Sequence, residues 1–255
     1  MQKRVLGIGC LIVLALATAW PGQANGADEK KAPKYTYIGE WAVPREQWRD
    51  YAKVNADERA TMDKLVADGT ITGYGDFSNL IHQEGQPTHG SWFTATSRAG
   101  LLKALEALYK LPQVTFPVLG NSKHWDYIVV SRQHGSRSGS FPGGYLSGGG
   151  FDVKPGQEKA FNEVMDKNIV PIMEKLLAEG AVTSYSVDSE EFHTEAPGRV
   201  TFVYTAADAA GVDKVEDAIV AAFKSDPALE SAAIAAVDWK GHKDFLARVG
   251  NMVNK

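Results

Sequence analysis

The segment KLVADG at residues 64–69 recurs as KLLAEG at residues 175–180, 111 positions later in the same chain. Between residues 64 and 108, 15 of 45 positions carry the same amino acid at this shift, where unrelated sequences of ordinary composition share about three. Such self-similarity indicates a duplicated structural unit. The likeness extends with small slips at both ends, and we delimit two copies at 27–134 and 145–255. A Gly/Ser-rich linker at 135–144 joins them.

Each copy has the hydrophobic pattern of a β-α-β-β-α-β unit followed by a short segment. In the first copy, the pattern predicts strands at 35–43, 71–82, 91–96 and 114–119. In the second copy, it predicts the fourth strand at 232–237. The closing segments, 125–133 and 245–252, are ambiguous. The first has strand-forming residues and the second has helical spacing, and comparison of the two copies favours a helix in both.

Two such units form a tandem ferredoxin-like arrangement of class α+β, in which each four-stranded sheet has helices on one face only. We expect the two bare faces to face each other. This architecture resembles the dimeric α/β-barrel superfamily, with both halves fused in one polypeptide. The resemblance covers nearly all of 35–255. Its members include cofactor-independent monooxygenases, small isomerases and haem-binding relatives of chlorite dismutase, but no motif of a single branch is present. The resemblance therefore implies no catalytic residue.

The first 26 residues have the pattern of a secretory leader. Lys3 and Arg4 precede an uncharged apolar run, and small residues mark a cleavage position after Gly26. We therefore expect residues 1–26 to be removed and the protein to be periplasmic or secreted, with no membrane span after cleavage. The single cysteine, Cys10, lies in this leader, which excludes disulfides from the remainder. A net charge of −4 without a basic cluster argues against a nucleic-acid partner.

Tyrosine and histidine occur with the same spacing in both copies. Tyr74 and His82 share one face of a predicted strand, and Tyr185 and His193 repeat the arrangement. A phenol and an imidazole on one face can hydrogen-bond a ligand or transfer a proton. The alternative is structural: the tyrosine fills the core and the histidine ends the strand near solvent.

Three polar residues flank the first predicted hairpin. His82, Glu84 and His89 are residue types that ligate zinc or iron, but their spacing matches no metal motif, and we predict no metal site.

A His-x-Asp pair opens the closing segment of each copy, at His124 and Asp126 and again at His242 and Asp244. An aspartate can orient a histidine as a general base. Because residues i and i+2 of a helix point apart, the predicted helix favours capping or surface roles for these pairs.

The second copy has less side-chain volume and more charge than the first. Gly148, Gly149 and Gly150 form a triplet in its first strand, which leaves space for a ligand or another backbone, or extends the linker. Asp188 and Glu190 replace apolar and amide residues of the first copy. We therefore expect a ligand site between the sheet and the helices of the second copy. The candidates for ligand binding are His193, Tyr185, Glu190, Gly149, His82, Tyr74 and Trp92.

Three functions are compatible with these patterns. The lack of a nucleophile or metal motif favours an exported protein that binds a small apolar or aromatic molecule. The many Trp and Tyr residues also agree with a cofactor-independent oxygenase or isomerase acting on an apolar aromatic substrate. The third function is haem binding through His193 or His82; otherwise no cofactor is predicted.

Overall fold

The computed structural model describes residues 31–112, 116–192 and 198–255. In the first half, a short 3-10 turn at Arg45–Gln47 leads into the long helix α1. The elements of this half are β1 (Lys34–Ala42), α1 (Trp48–Ala67), β2 (Gly73–Asn79), β3 (His89–Ala95), α2 (Arg98–Leu108), α3 (Pro117–Gly120) and β4 (Lys123–Ser136).

The second half repeats this order after a two-residue strand, with a π-helical turn at Met165–Ile169 inside its first helical segment. Its elements are β5 (Gly139–Ser140), β6 (Tyr145–Val153), α4 (Glu158–Val164), α5 (Val170–Glu179), β7 (Val182–Glu190), β8 (Arg199–Ala206), α6 (Ala209–Ser225), α7 (Pro227–Ala236) and β9 (Val237–Asn254).

The strands form one antiparallel sheet that closes on itself. Its order is β2-β3-β1-β4-β7-β8-β6-β9, and β9 pairs back onto β2. Two contacts join the halves: β4 lies beside β7, and β2 lies beside β9. The fold is thus α+β with an eight-stranded barrel. The sequence predicts two facing sheets, and the structure joins their edges as well.

Side-chain alternation divides each strand between the barrel interior and the helices. On β1, Thr36 and Ile38 face the interior while Tyr37 faces the helices, where it packs with Phe93 and Met62. The second half has a larger apolar core between its helices and sheet, which includes the fully buried Met173. A smaller cluster of apolar side chains fills part of the barrel itself.

The closing segments are strands, and the predicted helices at 125–133 and 245–252 are wrong. Residues 125–133 belong to β4, which pairs with β1 and β7, and 245–252 belong to β9, which pairs with β6 and β2. The strand preference of Ile128-Val129-Val130 was the correct signal. The helical spacing in 245–252 was misleading, because a strand paired on both sides buries side chains of both faces.

The fourth strand of the second half was also predicted in the wrong place. Residues 232–237 lie almost wholly in α7, whose first turn is capped by Asp226: its carboxylate accepts hydrogen bonds from the amides of Ala228 and Leu229. Pro227 at the first helical position and the alanine-rich sequence that follows favour a helix. In the first half, 117–119 are helical, and 114–115 of the predicted strand 114–119 lie outside the described residues.

The predicted linker contains paired strand residues. Gly135 and Ser136 end β4, where Gly135 lies opposite Tyr185, and Gly139 and Ser140 form β5 against β9. The predicted leader, 1–26, lies outside the described residues. Among the described residues, no helix is both long and apolar enough to cross a membrane.

One glycine of the repeat has a packing role in both halves. A Cβ on Gly211 would lie 2.4 Å from the carbonyl oxygen of Ala181, and a Cβ on Gly100 would lie 2.7 Å from that of Thr70. The first turns of α6 and α2 therefore approach the backbone that precedes β7 and β2 more closely than any side chain allows.

Gly211→Ala should destabilise the protein by about 1–3 kcal/mol, because the added methyl group must displace a backbone carbonyl. Gly120→Ala is the matched control, since a Cβ there has no neighbour within 4 Å. It should change the free energy of unfolding by less than about 1 kcal/mol. Urea denaturation measures both, and equal effects of the two variants would contradict the packing role of Gly211.

Candidate functional site

A cavity of about 380 Å³ lies between the helices and the sheet of the first half. We call it the helix–sheet cavity. Its apolar and aromatic lining comes from the outer face of the sheet and from α1 and α2 and includes Tyr37, Phe93, Met62 and Leu105. Cavities of a few hundred Å³ with such a lining are typical of small-molecule sites.

Three polar side chains form a hydrogen-bonded chain at the wall of this cavity. His124 Nε2 lies 3.0 Å from Asp126 Oδ1, and the Tyr37 hydroxyl donates to the same oxygen. The indole of Trp41 stacks on the His124 ring at 4.4 Å between centroids. The histidine is thus fixed from two sides, by a carboxylate and by an aromatic plane, as a general base requires.

The strand geometry of β4 explains why His124 and Asp126 meet. Residues i and i+2 point to the same face of a strand, whereas they point apart on a helix. The prediction of capping or surface roles for this pair followed from the wrong helix at 125–133. The His-x-Asp pattern itself was the signal that could have revealed the site.

Burial shifts the ionisation of several groups in the cavity. The pKa of Glu58 is raised to about 7 by burial and by the neighbouring Asp57 carboxylate. Burial opposes ionisation of Asp126, but hydrogen bonds from His124 and Tyr37 hold its pKa below the ordinary value. Burial and the bond to Asp126 raise the pKa of the Tyr37 phenol. The cavity therefore combines a carboxylate that stays ionised with a carboxyl that titrates near neutral pH.

The second half keeps the His-x-Asp pair but not the groups around it. His242 Nε2 lies 3.2 Å from Asp244 Oδ1, and Phe151 stacks on His242 at 4.6 Å. At the positions of Tyr37 and Glu58, however, the second half has Ser147 and Ile169.

Ile169 is buried in the large apolar core, together with side chains such as Met173. The sequence analysis placed a ligand site in the second copy, whereas the helix–sheet cavity described here belongs to the first.

The two candidate tyrosines bind carboxylates of the long helices. The Tyr74 hydroxyl donates to Asp63 at 2.7 Å, and the Tyr185 hydroxyl donates to Glu174 at 2.5 Å. Asp63 and Glu174 occupy equivalent positions in the repeat. Both tyrosine rings are buried against the helices. Each bond ties a helix to the second strand of its half, which favours the structural interpretation.

His82 does not share a strand face with Tyr74. β2 ends at Asn79, so His82 lies in the following loop, exposed, with its ring 5.2 Å from that of Trp48. The predicted strand 71–82 was therefore too long. His193 lies outside the described residues.

Of the three other candidates, Glu190 and Trp92 line the barrel interior, whereas Gly149 lies on the other face of β6. Glu190 ends β7, and Trp92 on β3 contacts Phe77 inside the barrel. The space left by Gly149 is occupied by His242 and Asp244, because a Cβ there would lie 2.9 Å and 2.7 Å from their atoms. The missing side chain at Gly149 thus makes room for the protein's own residues.

Five histidines lie among the described residues. His89, His124, His134 and His242 hydrogen-bond to protein atoms, and His82 is exposed in its loop. In the same part of the chain, no three His, Cys, Asp or Glu residues are grouped closely enough to hold a metal ion.

Solved structures share the fold of this chain. A candidate monooxygenase from Fusobacterium nucleatum matches with a TM-score of 0.64 and 13% identity, over 88% of this chain and 95% of that one. A candidate monooxygenase from Lactobacillus acidophilus gives 0.61 and 9%, over 88% and 97%. An anthrone oxidase-like protein gives 0.51 and 13%, over 88% and 94%. No family model and no protein of curated function matches the sequence. The chain has the fold of the dimeric α/β-barrel proteins, and no branch of that superfamily is identified.

The raised pKa of Glu58 predicts a pH-dependent effect of Glu58→Gln. The neutral carboxyl of Glu58 makes its full contribution to the free energy of unfolding below the ordinary pKa of 4.5. This contribution is lost as the pH rises through about 7, the pKa in the folded state. The melting temperature of the variant, minus that of the wild type, should therefore be larger at about pH 8 than at about pH 5.

Glu106→Gln on the exposed face of α2 is the control, and its difference from the wild type should not change with pH in this way. A pH-independent difference for Glu58→Gln would show that Glu58 is not held protonated in the folded state.

Removal of either tyrosine hydroxyl should lower stability. Tyr74→Phe and Tyr185→Phe each remove a hydrogen bond to a carboxylate, and each should cost about 1–2 kcal/mol in urea unfolding. If Tyr185→Phe left stability unchanged, its bond to Glu174 would not hold the helix to the sheet.

Proposed function

We propose that the protein binds an apolar aromatic molecule in the helix–sheet cavity and oxidises it with O₂ without a cofactor. The observation that carries this proposal is the chain of Tyr37, Asp126 and His124 at the wall of an aromatic-lined cavity. The substrate class is a fused-ring compound with an acidic C–H bond, such as an anthrone, whose anion reacts with O₂ directly.

The first step is proton abstraction by His124. Asp126 holds the ring in one orientation and stabilises the imidazolium that forms, and the Tyr37 hydroxyl stabilises the Asp126 carboxylate. His124 and Asp126 have 37% and 43% of their side chains exposed, so both are accessible to O₂ and water. A positioned base of this kind contributes about 10²–10⁴ in rate.

The rest of the reaction needs no external reductant. The substrate anion adds O₂ to give a peroxide, which loses water to leave a carbonyl: R₂CH₂ + O₂ → R₂C=O + H₂O. The substrate supplies all four electrons. Glu58, with a pKa of about 7, can protonate the departing peroxide oxygen near neutral pH.

The comparisons support the reaction class at the level of fold. Two of the similar structures are candidate monooxygenases and a third is an anthrone oxidase-like protein. Because the sequence identities are 9–13%, the names of these proteins indicate which reaction to test in this one.

We also infer that the two halves arose by duplication of one ferredoxin-like unit, and that the chain is exported. Both halves have the strand order fourth-first-third-second, β4-β1-β3-β2 and β9-β6-β8-β7, which supports the duplication. The charged, apolar and small residues of 1–26 support export.

The proposed function predicts different effects for the two His-x-Asp pairs. Asp126→Asn should lower the kcat for O₂-dependent oxidation of anthrone by about 10²-fold or more, because the histidine loses its orienting carboxylate. Oxygen consumption and the absorbance of the product measure the rate. Asp244→Asn, in the second half, is the matched control and should retain the rate.

Three outcomes would contradict the proposal. They are an unchanged rate in Asp126→Asn, an equal loss in Asp244→Asn, and binding of anthrone without any turnover by the wild type. The last outcome would leave a binding protein, which is the function that the sequence favoured.

A further inference from the structure

A second cavity, of about 670 Å³, lies inside the barrel. We call it the barrel cavity. It is lined by the inward side chains of the strands, and the outward residues of the same strands line the helix–sheet cavity. Thr36 and Tyr37, which are adjacent on β1, illustrate this separation, because they contribute to different cavities.

One wall of the barrel cavity is polar and is built in register across three strands. Lys34 on β1 pairs with Ser131 on β4, which pairs with Asp188 on β7. Asp188 Oδ1 accepts a hydrogen bond from the Ser131 hydroxyl at 2.5 Å, and Oδ2 accepts one from Ser186 at 3.1 Å. Asp188 is buried, with 7% of its surface exposed. The serines thus satisfy its carboxyl, and the ammonium of Lys34 is not needed as a direct partner.

Lys34 is one group in this cavity with unused hydrogen-bond donors. Its ammonium donates no hydrogen bond and forms no ion pair with any described residue, although it lines the cavity near Asp188. Burial lowers its pKa, and the Asp188 carboxylate opposes that shift. The residue is partly buried, and its ammonium stays accessible in the cavity. An anionic group of a ligand would supply a direct partner.

Asn254, near the end of β9, is the second such group. Its Nδ2 is buried and has no hydrogen-bond partner, and its amide lies over the inward side of Gly73 on β2. Gly73 pairs with Thr94, and Thr94 pairs with Thr36, two residues from Lys34 on β1. The free amide and the ammonium therefore lie at neighbouring register levels of the barrel, on strands separated by β2 and β3. Both are donors, so their complement is an acceptor such as a carboxylate.

Asp188 has its two carboxyl oxygens occupied by serine hydroxyls. Burial raises the pKa of its carboxyl, against the opposing effect of the two serine hydroxyls and Lys34. Another cation of the lining, Arg199, is already neutralised, because it pairs with Asp152 at 3.0 Å and donates to the carbonyl of Gly241 at 2.8 Å.

The opposite part of the lining is apolar. Phe77, Trp92, Leu146, Val203 and Phe245 belong to one packed cluster inside the barrel, and all five line the cavity. The cavity therefore presents an aromatic and aliphatic surface together with two unused donors. This is the pattern of a site for an amphipathic molecule with one polar end.

We propose that the barrel cavity binds an aromatic carboxylate, with its carboxylate on Lys34 and Asn254 and its rings against Trp92 and Phe245. This site goes beyond the proposed oxidation and does not depend on it. The carboxylate would accept hydrogen bonds from the partly buried ammonium of Lys34 and from the amide of Asn254, whose nitrogen is buried without a partner.

Calorimetric titration of the purified protein with 2-naphthoate tests the proposal. We expect one molecule to bind per chain, and naphthalene-2-methanol, which has the same rings but no charge, to bind about tenfold more weakly. Lys34→Met should raise the Kd of 2-naphthoate by about tenfold or more, because it keeps the length of the side chain and removes the charge. The same variant should leave the Kd of the neutral alcohol within about twofold.

Two control variants locate the binding. Lys31→Met removes an exposed lysine near Lys34 and should leave binding unchanged. Leu105→Trp fills the helix–sheet cavity and should abolish oxidation of anthrone while leaving the affinity for 2-naphthoate intact. Failure of the proposed oxidation is thus distinguishable from failure of this site.

The proposal is overturned if 2-naphthoate does not bind at concentrations of about 1 mM, because a Kd above that value is too weak for a built site. It is also overturned if Lys34→Met binds it as tightly as the wild type, or if Leu105→Trp loses it. Melting temperatures of the variants show that each is folded. Asn254→Leu removes the second donor and, like Lys34→Met, should raise the Kd of 2-naphthoate.

Discussion

The architecture depends on two strand pairings that join the halves, β4 with β7 and β2 with β9. A four-stranded sheet with helices on one face leaves two open edges and one bare face exposed. Edge pairing of two such sheets removes all four edges and turns both bare faces inward. The same closure separates two internal spaces, one inside the barrel and one between the sheet and the helices. The two cavities of this protein are consequences of that single arrangement.

Much of the fold could be predicted because the chain contains its own comparison. The repeat around KLVADG located the long helices and the second and third strands, and glycines such as Gly100 and Gly211 kept their packing role in both halves. The closing strands were missed because the comparison was given more weight than local propensity. The helical spacing in 245–252 was applied to both copies, although Ile128-Val129-Val130 favoured a strand.

The candidate site was harder to predict, because its groups are those in which the copies differ. His124 and Asp126 recur in the second half, but their function depends on a strand that the sequence analysis assigned as a helix. Tyr37 and Glu58 are replaced by Ser147 and Ile169 in the second half, so the repeat gave no reason to select them. The glycine triplet correctly indicated that side-chain volume is missing from the first strand of the second half. It could not show that the side chains of His242 and Asp244 occupy the space at Gly149.

The pairing of β2 with β9 also constrains how the protein folds. It joins residues 73–79 to residues 247–254, which are separated by most of the length of the described chain, and so carries a large loop-closure entropy. Contacts of such sequence separation form late, after local hairpins and helices. Until then each half exposes an unpaired strand edge beside a hydrophobic face, which is the state most prone to association between chains. Rapid dilution from denaturant at high protein concentration therefore favours aggregation, and slow folding at low concentration favours the closed barrel.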